Sequence, residues 1–196
     1  MTLTILLLAA GAASRMRGSD KLLEPVAGAP LIATMAHRAM TIAPTCVTLP
    51  GPDHPRASAL GGIAVTQIPV PDAAEGMAAS IRAGVAALPA GSTAVMILPA
   101  DMPDITTQDL ATMAAAWAAT PDAILRATAH DGTPGHPVIF PARLFPHLAR
   151  LTGDQGARPL LQAEPPLLIA LPDQHATTDL DTPEAWAAWR AASLSS

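Results

Sequence analysis

The sequence predicts an α/β fold built around a mainly parallel sheet. Three observations point there. Short apolar runs of strand length alternate with segments of helical period along the chain. The first run, Leu3 to Ala9, is almost wholly apolar, as in a strand covered on both faces. The 21 prolines gather at strand ends and in loops, at Pro69, Pro71, Pro99, Pro103, Pro134, Pro137, Pro165 and Pro166, as punctuation rather than as a linker. No repeat or charge block divides the chain, so residues 1–196 are expected to form a single domain.

The elements follow in order. Pro30 to Met40 reads as a helix with proline near its start. Thr45 to Leu49 and Ile63 to Ile68 are short strand candidates. Gly76 to Leu88 is expected to be a helix packing Met77, Ile81, Val85 and Leu88. Thr93 to Leu98 is another buried strand. Thr106 to Ala118 is a helix with Leu110, Met113, Ala114 and Trp117 in one stripe, and Thr106 with Asp109 forms an imperfect capping box. Ala123 to Ala129 and Pro137 to Phe140 read as extended, and Gly156 to Gln162 and Thr182 to Ala192 as helical. The last opens Thr182-Pro183-Glu184: a cap, an N1 proline and a first-turn acid. Asp131 to Leu161 is less regular and is expected to be an insertion over the sheet.

Composition narrows the function. Half the residues are hydrophobic and 14% are charged, which excludes a disordered chain. A net charge of −5 without a Lys/Arg stripe argues against a nucleic-acid partner. The lone Cys46 excludes an internal disulfide and a cysteine-based metal site, and fits a reducing cytoplasm. Thr2 to Ala10 is too short to span a membrane, and no basic residue precedes it as in a signal peptide. Ser14 has no evident base, so a Ser-His-Asp hydrolase has no support.

In an open α/β sheet, ligands sit at the carboxyl ends of strands. Ala10 to Lys21 holds that place. Ala9, Ala10, Gly11, Ala12 and Ala13 are small enough for backbone N–H groups to approach a phosphate. Arg15 adds a guanidinium and Lys21 a mobile ammonium. The spacing is neither G-x-G-x-x-G, because Ala13 and Met16 hold the later glycine positions, nor a P-loop, because Met16-Arg17 replaces Gly-Lys. Further on, Val95 to Pro103 sets Asp101 just past a buried strand. Mg²⁺ takes one or two carboxylates plus phosphate oxygens and water, so Asp101 is a candidate ligand. Asp104 reads as a turn former. Glu75 to Ser80 opens a helix, whose free N–H groups suit an anion. Gly153 to Arg158 offers N–H groups, a carboxylate and a guanidinium to a phosphate-bearing substrate.

Leu8-Ala9-Ala10-Gly11, Arg15-Met16, Gly18 and Asp20-Lys21 closely resemble the signature loop of the MobA-like nucleotidyltransferases, which wraps the triphosphate. Ala13 and Arg17 depart from it, standing where many relatives carry Ser and Gly. Leu98 to Pro103 resembles the family's metal-binding turn, which implies Asp101 as the magnesium ligand. Gly76-Met77 and Ser80 resemble a nucleotide-proximal segment of the molybdenum cofactor cytidylyltransferases, although Val70 and Pro71 replace a usual Asn. Gly135-His136-Pro137 and Gly153 to Arg158 resemble acceptor-side segments of that branch. Asp179-Leu180-Asp181-Thr182-Pro183 resembles a late motif that implies Asp181 as a second metal ligand.

The resemblance covers nearly the whole chain and implies a Rossmann-like three-layer domain of the nucleotide-diphospho-sugar transferase type. It also implies transfer of CMP from CTP to the phosphate of the molybdopterin cofactor, releasing pyrophosphate. It makes Arg15, Lys21 and Asp101 catalytic. It gives Leu8, Ala9, Ala10, Gly11, Arg15, Lys21, Gly76 and Ser80 to the nucleotide. Gly135, His136, Pro137, Gly153, Asp154 and Arg158 go to the acceptor, and Asp101 and Asp181 to Mg²⁺. A molybdoenzyme or its maturation chaperone is the implied recipient. Ala10 is similar to the cytidine branch, since the guanosine branch usually has Gly there. A guanylyltransferase for the same cofactor, a sugar-phosphate nucleotidyltransferase and a non-catalytic cofactor carrier remain alternatives. A carrier would have lost the loop charges or Asp101, and both are present.

Overall fold

Successive residues of the first strand, β1 (Leu3–Leu8), face opposite layers of the molecule, and this alternation builds the fold. Leu3, Ile5 and Leu7 join one hydrophobic cluster and Leu6 joins the other. The computed structural model describes residues 1–193. After β1 come a small hairpin of β2 (Pro25–Val26) and β3 (Ala29–Pro30), then helix α1 (Leu31–Met40) and β4 (Thr45–Leu49). Next are α2 (Pro55–Ala59), β5 (Thr66–Pro69), α3 (Met77–Ala86), β6 (Ala94–Pro99) and α4 (Thr107–Ala119). The chain continues through β7 (Leu125–Thr128), β8 (Pro134–Pro141), α5 (Phe145–Leu148), α6 (Arg158–Ala163), β9 (Leu167–Ala170) and α7 (Pro183–Ser193).

Seven strands form one sheet in the order β5-β4-β1-β6-β8-β7-β9. β1 runs parallel to β4 and β6, β4 to β5, and β7 to β9, while β8 is antiparallel to both its neighbours. The sheet is therefore mainly parallel, as expected. α1, α4 and α7 cover one face with Leu31, Met35, Leu110, Met113 and Trp186. α3 and α5 cover the other with Ala78, Ile81 and Leu148. Among the described residues no helix is long and apolar enough to cross a membrane.

Several expectations need correction. Asp131 to Leu161 is not an insertion over the sheet, because β8 lies inside the sheet between β6 and β7. Its prolines disguised it, since proline withholds a ladder donor and reads as an edge or a break. Pro137 falls where the ladder with β7 shifts register, between the Val138 and Pro134 pairs. The buried face of α3 is Ala78, Ile81 and Gly84, with Val85 and Leu88 partly buried against the same cluster, so only Met77 departs from the expected stripe. Met77 is exposed, because it opens the helix at the rim of a cleft. The second short strand begins at Thr66 instead of Ile63. The capping box at α4 is complete: Asp109 N–H donates to Thr106 Oγ1 at 3.1 Å, and Thr106 N–H donates to Asp109 Oδ2 at 2.8 Å.

The reversal of β8 positions the site. Its amino end lies beside the carboxyl ends of β6 and β7, so Gly135 and His136 join the edge where β1 and β6 release their loops.

Candidate active site

The loop after β1 is held from behind by one side chain. Arg56 on α2 is 2% exposed. Its Nη1 donates to the carbonyls of Ala9 at 2.7 Å and Gly11 at 2.8 Å. Its Nε and Nη2 form a fork on the Asp20 carboxylate at 2.7 and 2.8 Å. One buried guanidinium thus ties the start of the loop to the residue before Lys21. Met16 is buried beneath the loop as a further anchor.

The chemistry gathers on Lys21. Its Nζ donates to Asp101 Oδ2 and Asp181 Oδ1, both at 2.5 Å. Arg15 meets the other oxygen of Asp181, Oδ2, at 2.7 Å. Asp181 arrives because Leu180 N–H donates to the Asp101 carbonyl at 3.2 Å, which docks the late loop on the turn after β6. Burial works against the Lys21 ammonium, but Asp101 and Asp181 outweigh it and hold its pKa above the ordinary value. Asp179 stands nearby; burial, then the charges of Asp181 and Asp101, push its carboxyl up.

Two carboxylates facing one ammonium are the oxygen pair a hard divalent cation uses. Among the described residues no group of three or more His, Cys, Asp or Glu side chains is placed to hold a metal by itself. Asp101 and Asp181 would therefore hold Mg²⁺ only with phosphate oxygens and water completing its shell, and the residues fit that partial set.

These residues line a cleft of about 500 Å³ with Leu8, Ala9, Gly11, Gly76 and Ser80. Ala10 does not line it: the Ala10 side chain packs with Val70 and Ala79 and borders a second cavity behind the loop. Gly76 has φ +115°, and a Cβ there would meet the Asp154 backbone at 2.9 Å. Its backbone therefore presses against the Gly153 to Arg158 segment, whose Gly153 carbonyl accepts from Ala78 N–H at 3.2 Å.

The domain model for the MobA-like NTP transferases matches residues 5–168. The chain belongs to the MobA-like NTP transferase family. Nucleotidyl transfer is the activity this membership carries. Rv0371c from Mycobacterium tuberculosis H37Rv is similar in structure, with 24% identity, a TM-score of 0.83 and coverage of 96% of this chain and 97% of that one. A complex of the same protein with manganese gives a TM-score of 0.78 at 24% identity over 96% and 97%. A CMP:2-keto-3-deoxy-manno-octonic acid synthetase complexed with CTP has 13% identity and a TM-score of 0.77 over 100% of this chain and 99% of that one. Comparison with curated proteins found no match.

Other residues of this family member line two adjoining cavities. Gly135 and His136 border one of about 290 Å³ together with Asp101 and Asp179. A Cβ at Gly135 would lie 1.8 Å from the Ala176 carbonyl oxygen, so only glycine fits against the late loop. His136, Asp154 and Arg158 border the other, of about 410 Å³. Enclosure and the nearby Arg126 push the His136 imidazole from 6.5 down to about 4, against the pull of Asp101. Pro137 and Gly153 shape these walls without lining them. Sequence reasoning missed Arg56 and Arg126. Each lies outside every motif, and only the fold brings it to the site.

Proposed function

We propose that this MobA-like transferase moves CMP from CTP to the phosphate of the molybdopterin cofactor and releases pyrophosphate. One observation carries the reading. The ammonium of Lys21 is shared by Asp101 and Asp181 at the mouth of the small-residue loop, next to a cavity bearing His136 and Arg158. In this reading the triphosphate, the metal ligands and the acceptor wall meet at one place.

An acceptor phosphate oxygen is already ionised at neutral pH, so no strong base is needed. It attacks the α-phosphorus in line, the bond to the β-phosphate oxygen breaks, and pyrophosphate leaves. Catalysis is then positioning plus charge stabilisation. Backbone N–H groups of the loop cradle the phosphates. Arg15 and Lys21 turn from their carboxylates to the leaving oxygens. Mg²⁺, when bound by Asp101 and Asp181, supplies Lewis-acid stabilisation of the triphosphate. The manganese complex of Rv0371c and the CTP complex of the synthetase support the choices of a divalent ion and of CTP. Ala10 packs on Val70 and Ala79 rather than lining the cleft, so in this reading it favours cytidine only by setting the path of the loop.

The test is pyrophosphate release with each of the four ribonucleoside triphosphates, with and without purified cofactor. Cofactor-dependent release with CTP alone of the four is expected. Release that depends on a sugar phosphate and ignores molybdopterin rejects the reading.

A further inference from the structure

Most of the basic side chains have an acidic partner. Arg15, Arg17, Lys21, Arg56, Arg82, Arg143 and Arg190 all make ion pairs. Of the others, Arg38 gives its guanidinium to the Pro103 and Ile105 carbonyls and Arg150 is exposed, whereas Arg126 on β7 and Arg158 at the start of α6 line one cavity. Among the described residues neither makes an ion pair, yet the two come close enough for Arg158 to act on Arg126. Burial first, and then the Arg158 charge, hold the Arg126 guanidinium below its ordinary pKa.

Their surroundings say what they face. Both line the cavity of about 410 Å³ beside the triphosphate cleft. Its wall is largely apolar, from Ile97, Val138, Phe140 and Leu161. Arg126 is aimed by donating from Nε to the Gly135 carbonyl at 3.0 Å. Its Nη2 reaches the Pro134 carbonyl at 3.4 Å, which leaves Nη1 for a ligand. His136 in the same wall stays neutral, and Asp154, which also lines the cavity, makes no ion pair with either arginine among the described residues, so the two arginines leave the wall with a net positive charge. Two like charges set together at an apolar cavity repel each other until an anion lies between them.

We infer that Arg126 and Arg158 form an anion clamp for the acceptor, gripping an acidic group other than the phosphate that attacks. The acceptor class this selects is a flat or apolar body that fits against Phe140 and carries a second anionic group. The separation of the two anions follows from the cavities. Asp101 and Lys21 line the triphosphate cleft without Arg126 and Arg158, and the arginines line their own cavity without Asp101. Arg126 also borders the smaller cavity that contains Asp101, so one molecule can span both. The inference rests on the reading of this side of the cleft as the acceptor site, and it adds Arg126 and the second charge.

The experiment is calorimetry on the full chain with phenyl phosphate, a flat apolar ring bearing one anionic group. The triphosphate cleft is first saturated with magnesium and a non-hydrolysable CTP analogue. Wild-type protein is expected to bind phenyl phosphate, and benzyl alcohol is expected not to bind. Arg158 is exposed, so Arg158→Gln preserves the fold and should weaken phenyl phosphate by about tenfold, the loss of one charge-assisted contact. Arg126→Lys should retain part of the binding that Arg126→Gln loses, with affinity for the CTP analogue unchanged in all three. Wild-type affinity in Arg158→Gln, or no binding to wild type, overturns the proposal. So does phenyl phosphate binding that the CTP analogue abolishes, since the anion then sits in the triphosphate cleft. Failure of the analogue itself to bind would reject the nucleotide reading, while the phenyl phosphate arm would still judge the arginine pair.

Discussion

On the nucleotide side of the cleft the functional charges already have partners: Arg15 meets Asp181, and Lys21 joins Asp181 to Asp101. On the acceptor side, Arg126 and Arg158 stand together and, among the described residues, neither has an acidic partner. The contrast lies in what a ligand must do on arrival. In the proposed function, a nucleotide with its metal exchanges internal ion pairs for new ones. An acidic acceptor meets cations that gain a partner only when it binds. Under the proposed function, the first arrangement makes the metal and Lys21 competitors for one pair of carboxylates. The second places recognition in the electrostatics of an otherwise apolar wall.

The largest expected break of this comparison lies behind the nucleotide loop. Arg56→Ala removes one partner of a buried ion pair and should cost about 3–5 kcal/mol of stability in denaturant unfolding. It should also weaken nucleotide binding, because the carbonyls of Ala9 and Gly11 lose their donor. A variant with wild-type stability would show that the loop stands without its staple. Asp101→Ala should lower turnover on the order of 10²–10³, as when one preorganised charge-stabilising group is lost. Near-normal turnover at saturating Mg²⁺ would remove Asp101 from the mechanism.

On the acceptor side, Gly135→Ala forces a methyl into the Ala176 carbonyl and should cost about 1–3 kcal/mol by overpacking. Its signature is a raised KM for the acceptor with nucleotide affinity kept. Equal losses for both substrates would show that the two sides do not separate. Lys21→Met tests the competition directly. Without nucleotide, Mn²⁺ should bind the freed Asp101 and Asp181 about tenfold more tightly, roughly 1.4 kcal/mol, by electron paramagnetic resonance titration. An unchanged affinity would mean that the ammonium and the metal do not share a place.

The smallest effect at neutral pH belongs to His136, and it emerges on acidification. Its pKa falls from 6.5 to about 4 on folding, so the folded chain takes up this proton less readily than the unfolded one. Stability held above pH 6.5 should be lost as pH falls through 6.5 toward about 4. His136→Gln should flatten that part of a stability–pH curve, and a parallel curve would contradict the assigned shift.

Much of the nucleotide side was legible because its residues are neighbours in sequence. Leu8 to Lys21 is one continuous stretch of chain at the end of β1, and Asp101 follows a strand of unmistakable apolar character. The capping box of α4 and the cap, proline and acid at the start of α7 were readable for the same reason, since capping is a contact within one turn. The acceptor side was harder. Its walls come from β7, β8, α6 and the late loop, and β8 carries prolines that argue against a central strand.

The sequence by itself determined the layering, because strands covered on both faces must be apolar throughout and helices must show one stripe. It also singled out the short loop and the short turn on which the proposed phosphate and metal chemistry rests. Only the tertiary structure decided that β8 runs backwards and so carries Gly135 and His136 to the carboxyl edge of the sheet. It alone decided that Lys21 sits between Asp101 and Asp181, 80 and 160 residues away. The physical reason is the same in each case. Local patterns set the conformation of a segment, but the energy of one charge depends on which distant charges the fold places beside it.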